Sequence, residues 1–220
     1  MTNRLPDWMV RDLSLPRLRR YIRAAHGDTR VAERLYWWNI EVSAALVGPL
    51  HCLELTLRNA LHNALVRRHG RPDWWAEAPL NERGRGLVDA ARRSCERRLP
   101  RTTPDDVVAE LTLGFWVSLL SRGYDRHFWA PVLQFAFPHY NGGRRDRLYG
   151  DLTSLVLLRN RVMHHEPVHH RHLDADRDTI YRVLGYLSPE LAKEAQAMDR
   201  LPTVLAARAD VLGGARPLQF

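Results

Sequence analysis

Apolar residues recur every three or four positions along most of this 220-residue chain, and alternating β-branched runs are nearly absent. That periodicity predicts an all-α protein. Leu15 to Ala25 reads as a short helix with Gly27 past its end. Asp28 then caps a long helix through Leu46. Gly48-Pro49 is expected to interrupt it, after which a second helical segment runs to about His69 and stops at Gly70. Tyr36, Trp37, Trp38, Leu46, Leu50, Leu53, Leu57 and Leu61 of this hairpin or kinked helix are expected in the core.

A looser stretch holding Pro72, Trp74, Trp75 and Pro79 precedes a basic helix from about Asn81 to Arg98. Pro100 to Asp106 is a break. Within it Thr103-Pro104-Asp105-Asp106 supplies a capping hydroxyl, a first-turn proline and acids at the positive end of a new helix. That helix is expected to run to about Ser121 and end by Gly123, and Phe128 to Phe137 reads as a further apolar helix closed by Pro138. After the loop His139 to Arg145, a helix from about Asp146 reaches Leu157-Leu158-Arg159-Asn160-Arg161-Val162-Met163-His164-His165-Glu166-Pro167, where the proline stops it. Ser188-Pro189-Glu190 caps one last helix. There are no sustained heptads and no low-complexity tract. The only repeat is the echo of Leu158-Arg159-Asn160 in Leu57-Arg58-Asn59.

The length suits one large domain, read as residues 1–220. Lysine occurs once, at Lys193, so the formal charge of +8 is carried by arginine. Guanidinium groups bind phosphate in a fork that ammonium cannot make, so a polyanionic partner is expected; a GC-rich genome with arginines solvating helix faces explains the same total. Cys52 and Cys95 lie inside helical patterns, which argues against a disulfide scaffold. Met1 to Leu13 contains Asp7, Arg11 and Asp12 and lacks an apolar core, unlike a secretory signal. The longest apolar stretches are broken by Pro49, His51 and Glu54, or by Glu110, which predicts no membrane span and a cytoplasmic protein.

Chemistry concentrates at the end of the helix that begins near Asp146. An arginine steadies a phosphate, a histidine of near-neutral pKa moves a proton, and an asparagine amide orients one of them. Together these suit attack by a ribose 2′-hydroxyl on its own phosphodiester. Spacing alone is weak evidence: with this much arginine and histidine, chance gives about 5 Arg-His pairs separated by four to six residues. The chain has five: Arg19 and Arg20 before His26, Arg122 before His127, and Arg159 before His164 and His165. Only the Arg159 pairs follow a long apolar helical run and carry Asn160 directly after the arginine. At about 100° per residue, Arg159 falls in the stripe of Leu148, Leu152, Leu155 and Val162, about 140° from His164. Arg159 is then either a structural arginine paired with a carboxylate such as Glu54, or part of a cleft completed by a second subunit.

Glu54 and Arg58 sit four apart and share a helix face, so an ion pair that orients helices competes with direct chemistry. Glu54, Arg58, Asn59 and Arg161 are the supporting or RNA-binding candidates. His164, His165, His169, His170 and His172 crowd one segment, but their spacing matches no established metal-ligand pattern, and no metal or cofactor is expected. Gly142-Gly143-Arg144-Arg145 lacks a preceding strand and Walker spacing, so it reads as a solvated turn.

Three blocks together resemble the Abi-like family of bacterial abortive-infection proteins, within the wider HEPN group of helical ribonucleases. They are Leu35 to Asn39 leading into Leu53 to Ala60, then Glu110 to Trp116 with Trp129 after it, and Leu158 to Pro167, covering about residues 30 to 170. The resemblance implies an all-α HEPN-like bundle with additional helices. It also implies a homodimer that places two Arg-His motifs in one basic cleft, and metal-independent cleavage of RNA to 2′,3′-cyclic phosphate and 5′-hydroxyl ends. On this chain Arg159 would stabilise the phosphorane, His164 would act as acid or base with His165 in reserve, and Asn160 would orient them. A neutralising antitoxin is a further expected partner. Some members of the group bind without cutting, which leaves a non-catalytic RNA-binding or antitoxin-like module in phage defence as the alternative.

Overall fold

The computed structural model describes residues 4–219, so the first three residues of the N-terminal stretch read above lie outside it. Helix accounts for 73% of the structure and no strand occurs among the described residues, so the chain is all-α. Its helices are α1 (Asp7–Leu13), α2 (Leu15–Ala24), α3 (Thr29–His69), α4 (Glu82–Arg98), α5 (Pro104–Glu110), α6 (Leu113–Ser118), α7 (Arg145–Met163), α8 (Leu173–Leu187), α9 (Pro189–Ala197), α10 (Leu201–Ala206) and α11 (Arg208–Gly213). Two compact units divide the residues. Unit one takes the chain up to Leu50, Leu158–Asp178 and the chain from Ala195; unit two takes His51–Leu157 and Thr179–Glu194.

The predicted interruption at Gly48-Pro49 is absent: α3 is one helix of 41 residues with Pro49 inside it. Asp28 starts it as expected, its Oδ1 accepting from the Arg30 and Val31 amides at 2.9 and 3.1 Å. Proline forfeits one backbone hydrogen bond and crowds the carbonyl four residues back. Leu46, Leu50, Leu53 and Leu57 keep one apolar stripe running straight through this point, each at most 1% exposed, and their packing outweighs the local cost. The continuous helix also corrects the reading of its apolar length. By length and composition α3 meets the requirement for a membrane span, with a window of mean hydropathy 1.4, of which 44% is buried within the fold.

Two further helices expected from the periodicity are broken in the structure. The segment from Thr103 breaks at Leu111 and Thr112, both extended, because the Thr112 hydroxyl accepts from the Phe115 amide and starts α6 afresh. The stretch Phe128 to Phe137 is a π turn ending at Trp129 and a short 3-10 turn at Leu133–Ala136, because Pro131 lies inside the run. Ser188 does cap α9, its Oγ accepting from Leu191 N at 3.2 Å, but α10 and α11 follow, so it does not open the last helix. Helices α1 and α8 were not anticipated.

In unit one Trp38, 1% exposed, anchors the core: its Nε1 donates to the Val204 carbonyl at 3.1 Å, and the Arg208 guanidinium lies 5.2 Å from its ring. Arg34 donates to the Leu212 carbonyl and Arg177 pairs with the fully buried Asp199 carboxylate at 2.6 Å, which ties the C-terminal helices to α3 and α8. Unit two is built on Trp74, whose ring lies 6.2–6.5 Å from those of Phe115, Trp116 and Phe128. Its Nε1 donates to Nδ1 of His62 on α3. Cys52 and Cys95 are free thiols.

Candidate functional site

The candidate residues of unit one stand at the C-terminal end of α7. Leu148, Leu152, Leu155, Leu158 and Val162 are buried, and Arg159 on the same stripe is half-buried, as the helical phase requires. Asn160, Met163, His164 and His165 are exposed.

The helix does not loosen ahead of its histidines. His164 N still donates to Asn160 O at 2.9 Å, so Asn160 and His164 remain one turn apart on an open face and Arg159 stays about 140° away. Termination comes one residue later. Glu166 N donates to Arg161 O at 2.8 Å and His165 N to Val162 O at 3.2 Å, the paired bonds of a Schellman cap. Glycine usually fills the left-handed position of that cap, but here it is His165, with φ of 56°. A side chain held there costs on the order of 1 kcal/mol.

Neighbouring groups hold this turn in place. Arg17 on α2 donates through Nη1 to the His165 carbonyl at 2.6 Å. Arg161 lies 3.4 Å from the Glu166 carboxylate and 3.5 Å from the Pro167 carbonyl. Beyond Pro167 the chain is pinned by Asn39 of α3, whose Oδ1 accepts from Val168 N at 2.7 Å and His169 N at 3.1 Å while the residue is 4% exposed. In the sequence Asn39 closes the block Leu35 to Asn39, where no role is evident for it. Its role was hidden because the bond partners lie 129 and 130 residues away; an asparagine on an otherwise apolar helix face was the available signal.

Electrostatics in this segment are cationic. His169 packs against Tyr21, with ring centroids 5.1 Å apart, and meets His170 edge-on. Burial, then His170 and Arg208, lower the His169 pKa to about 4. His170 is lowered by burial first and then by Arg161, Arg171 and Arg20. Burial pushes the Tyr21 hydroxyl up, and Tyr36 raises it further. His169 is therefore neutral at pH 7. Arg171 is committed to Asp176 by two bonds of 2.6 and 2.7 Å, whereas Arg20 has no carboxylate partner among the described residues. No group of three His, Cys, Asp or Glu side chains is arranged to hold a metal ion among the described residues.

Glu54, Arg58 and Asn59 lie in the unit-two part of α3. Arg58 Nε reaches Asn59 Oδ1 at 3.4 Å, and its charge helps burial to lower the pKa of His62, one turn on. His62 was not singled out in the sequence, although the spacing from Arg58 places both on one face.

Comparison of the chain with models of known families, with characterised proteins and with solved structures gave no match. The resemblance to the Abi-like family rests on its three sequence blocks.

Proposed function

We propose that this protein is a metal-independent endoribonuclease of abortive-infection or toxin type, acting as a homodimer with an HEPN-like arrangement of helices. The observation that carries the reading is the end of α7. Exposed His164, with Asn160 one turn before it and no partner for its ring among the described residues, stands beside a segment crowded with arginines. In the reaction the substrate's 2′-hydroxyl attacks the adjacent phosphorus, the 5′-oxygen leaves, and His164 removes or donates the proton in transit. Asn160 orients the imidazole or the phosphate. The Arg159 guanidinium stabilises charge on the phosphorane oxygens.

Arg159 and His164 diverge on one helix, so the active constellation combines groups from two copies of the chain. The face of α7 that carries Asn160 and His164 also exposes Leu157 (56%) and Met163 (40%), an apolar surface suited to a second copy. Expression in a bacterial host is expected to slow growth, with Arg159→Ala and His164→Ala each relieving the effect and His51→Ala on α3 leaving it intact. Equal toxicity of parent and motif variants at equal soluble levels refutes the assignment. A strictly monomeric mass by light scattering, from a preparation that cleaves RNA, refutes the dimer.

A further inference from the structure

Unit two contains a cavity of about 380 Å³, within the range of ~300–1,000 Å³ common for small-ligand sites. One wall is the face of α4 that presents Arg85, Asp89, Arg92 and Glu96, residues at helical spacing with alternating charge. The facing walls bring half-buried Trp75 and the start of α5 around Thr102 and Thr103. Trp74 meets Trp75 edge-on at 5.6 Å and fixes one side of that ring.

The polar groups lining this cavity are not all matched to one another. Asp73 is committed to Arg71 by bonds of 2.7 and 2.8 Å. Arg92 and Glu96 approach only to 3.7 Å, which is an ion pair without a hydrogen bond. Asp89 has no ion pair or hydrogen bond among the described residues, and Thr102 Oγ1 is buried without a hydrogen-bond partner among them. Arg85 gives one N–H to the Leu80 carbonyl and keeps the rest of its fork. A carboxylate without a cation and a guanidinium with spare donors, on one wall of an open, mixed-charge cavity, point to a polar ligand that carries both donors and acceptors.

We propose that this cavity binds a guanosine 5′-phosphate unit, with the base against Trp75, its Watson–Crick edge on Asp89 and its phosphate held by Arg85 and Arg92. An ionised carboxylate only accepts hydrogen bonds. Guanine alone among the four RNA bases presents two adjacent donors, N1–H and the N2 amine, on that edge. Adenine and cytosine set an acceptor beside their donor, and uracil sets its one donor between two carbonyls, so each meets Asp89 with repulsion. Trp75 supplies the stacking face, as aromatic side chains do for unpaired bases. The arginines supply the planar donors that match a phosphate.

This site does not depend on the chemistry at α7, so His164→Ala protein serves for the test and prevents cleavage of RNA probes. Isothermal titration of that full chain with GMP and with AMP is expected to show GMP binding at least tenfold tighter. Asp89→Asn, at an exposed position that leaves the core untouched, is expected to abolish the preference, and Trp75→Ala to weaken GMP by about tenfold or more. An oligoadenylate carrying a single guanosine separates two sources of the same chemistry: displacement of GMP by it assigns the site to RNA, and failure to displace GMP assigns it to a free nucleotide. Equal affinity for GMP and AMP, a guanine preference that survives Asp89→Asn, or no binding of GMP or the oligonucleotide at millimolar concentration overturns the proposal.

Discussion

Asn39→Ala tests whether the histidine segment is held by one buried amide. In the folded protein Asn39 Oδ1 satisfies two backbone donors at once, at 2.7 and 3.1 Å, from a position 4% exposed on α3. Alanine removes the acceptor and leaves both amides without it. Val168 is fully buried and His169 half-buried, so water reaches the second more readily than the first. An orphaned buried donor costs ~1–3 kcal/mol, and less where solvent enters, so the pair is worth about 2–4 kcal/mol. For a chain of this length that lowers the melting temperature by roughly 4–16 °C. Urea unfolding gives the free energy, and amide hydrogen exchange locates the damage. Val168 and His169 should lose protection in the variant while the amides at the centre of α4 keep theirs. A loss under about 0.5 kcal/mol, or unchanged exchange at both positions, refutes the role given to Asn39.

Further outcomes follow from other contacts. His165→Gly removes a left-handed side chain while keeping the cap, so chemical denaturation should show stability unchanged or raised by about 1 kcal/mol; cleavage should persist, and its loss alongside full activity of His164→Ala would move the acid-base role to His165. Folding depresses the His169 pKa to about 4, so the unfolded chain binds more protons below its usual value near 6.5. Stability is therefore fully present above about pH 6.5 and declines as pH falls toward 4. After discount for the ring's partial exposure the loss is about 1.5 kcal/mol, and His169→Gln should flatten that part of the pH–stability curve. Asn81→Ala deletes the side-chain acceptor for Gly84 N at 2.8 Å and should cost about 1 kcal/mol by thermal unfolding, with Asn81→Asp recovering most of it.

Helical class, the caps at Asp28, Thr103 and Ser188, and the buried phase of α7 were legible in the sequence because each depends on neighbours within a few residues. Pro49 misled because local cost is visible in sequence, whereas the burial of Leu46, Leu50 and Leu53 that overrides it belongs to the tertiary structure. Thr112 and Pro131 erred in the opposite direction, since apolar periodicity continued across a capping hydroxyl and a proline that end helices. At the candidate site the sequence located Arg159, Asn160, His164 and His165, and even their angular divergence. It did not reveal that His165 takes the left-handed cap position, nor that Asn39 and Arg17 hold the turn, because those partners are more than a hundred residues distant.

The central claim is that the end of α7 cleaves RNA by attack of the 2′-hydroxyl, and the end groups of the products test it most directly. Purified protein incubated with a defined RNA in excess EDTA should yield 2′,3′-cyclic phosphate and 5′-hydroxyl ends. It should spare DNA and an RNA with a 2′-deoxy sugar at the cut, and these products should be absent from His164→Ala protein. Cleavage that requires added zinc or manganese and leaves 5′-phosphates, or RNA left intact by fresh dimeric protein, contradicts the account.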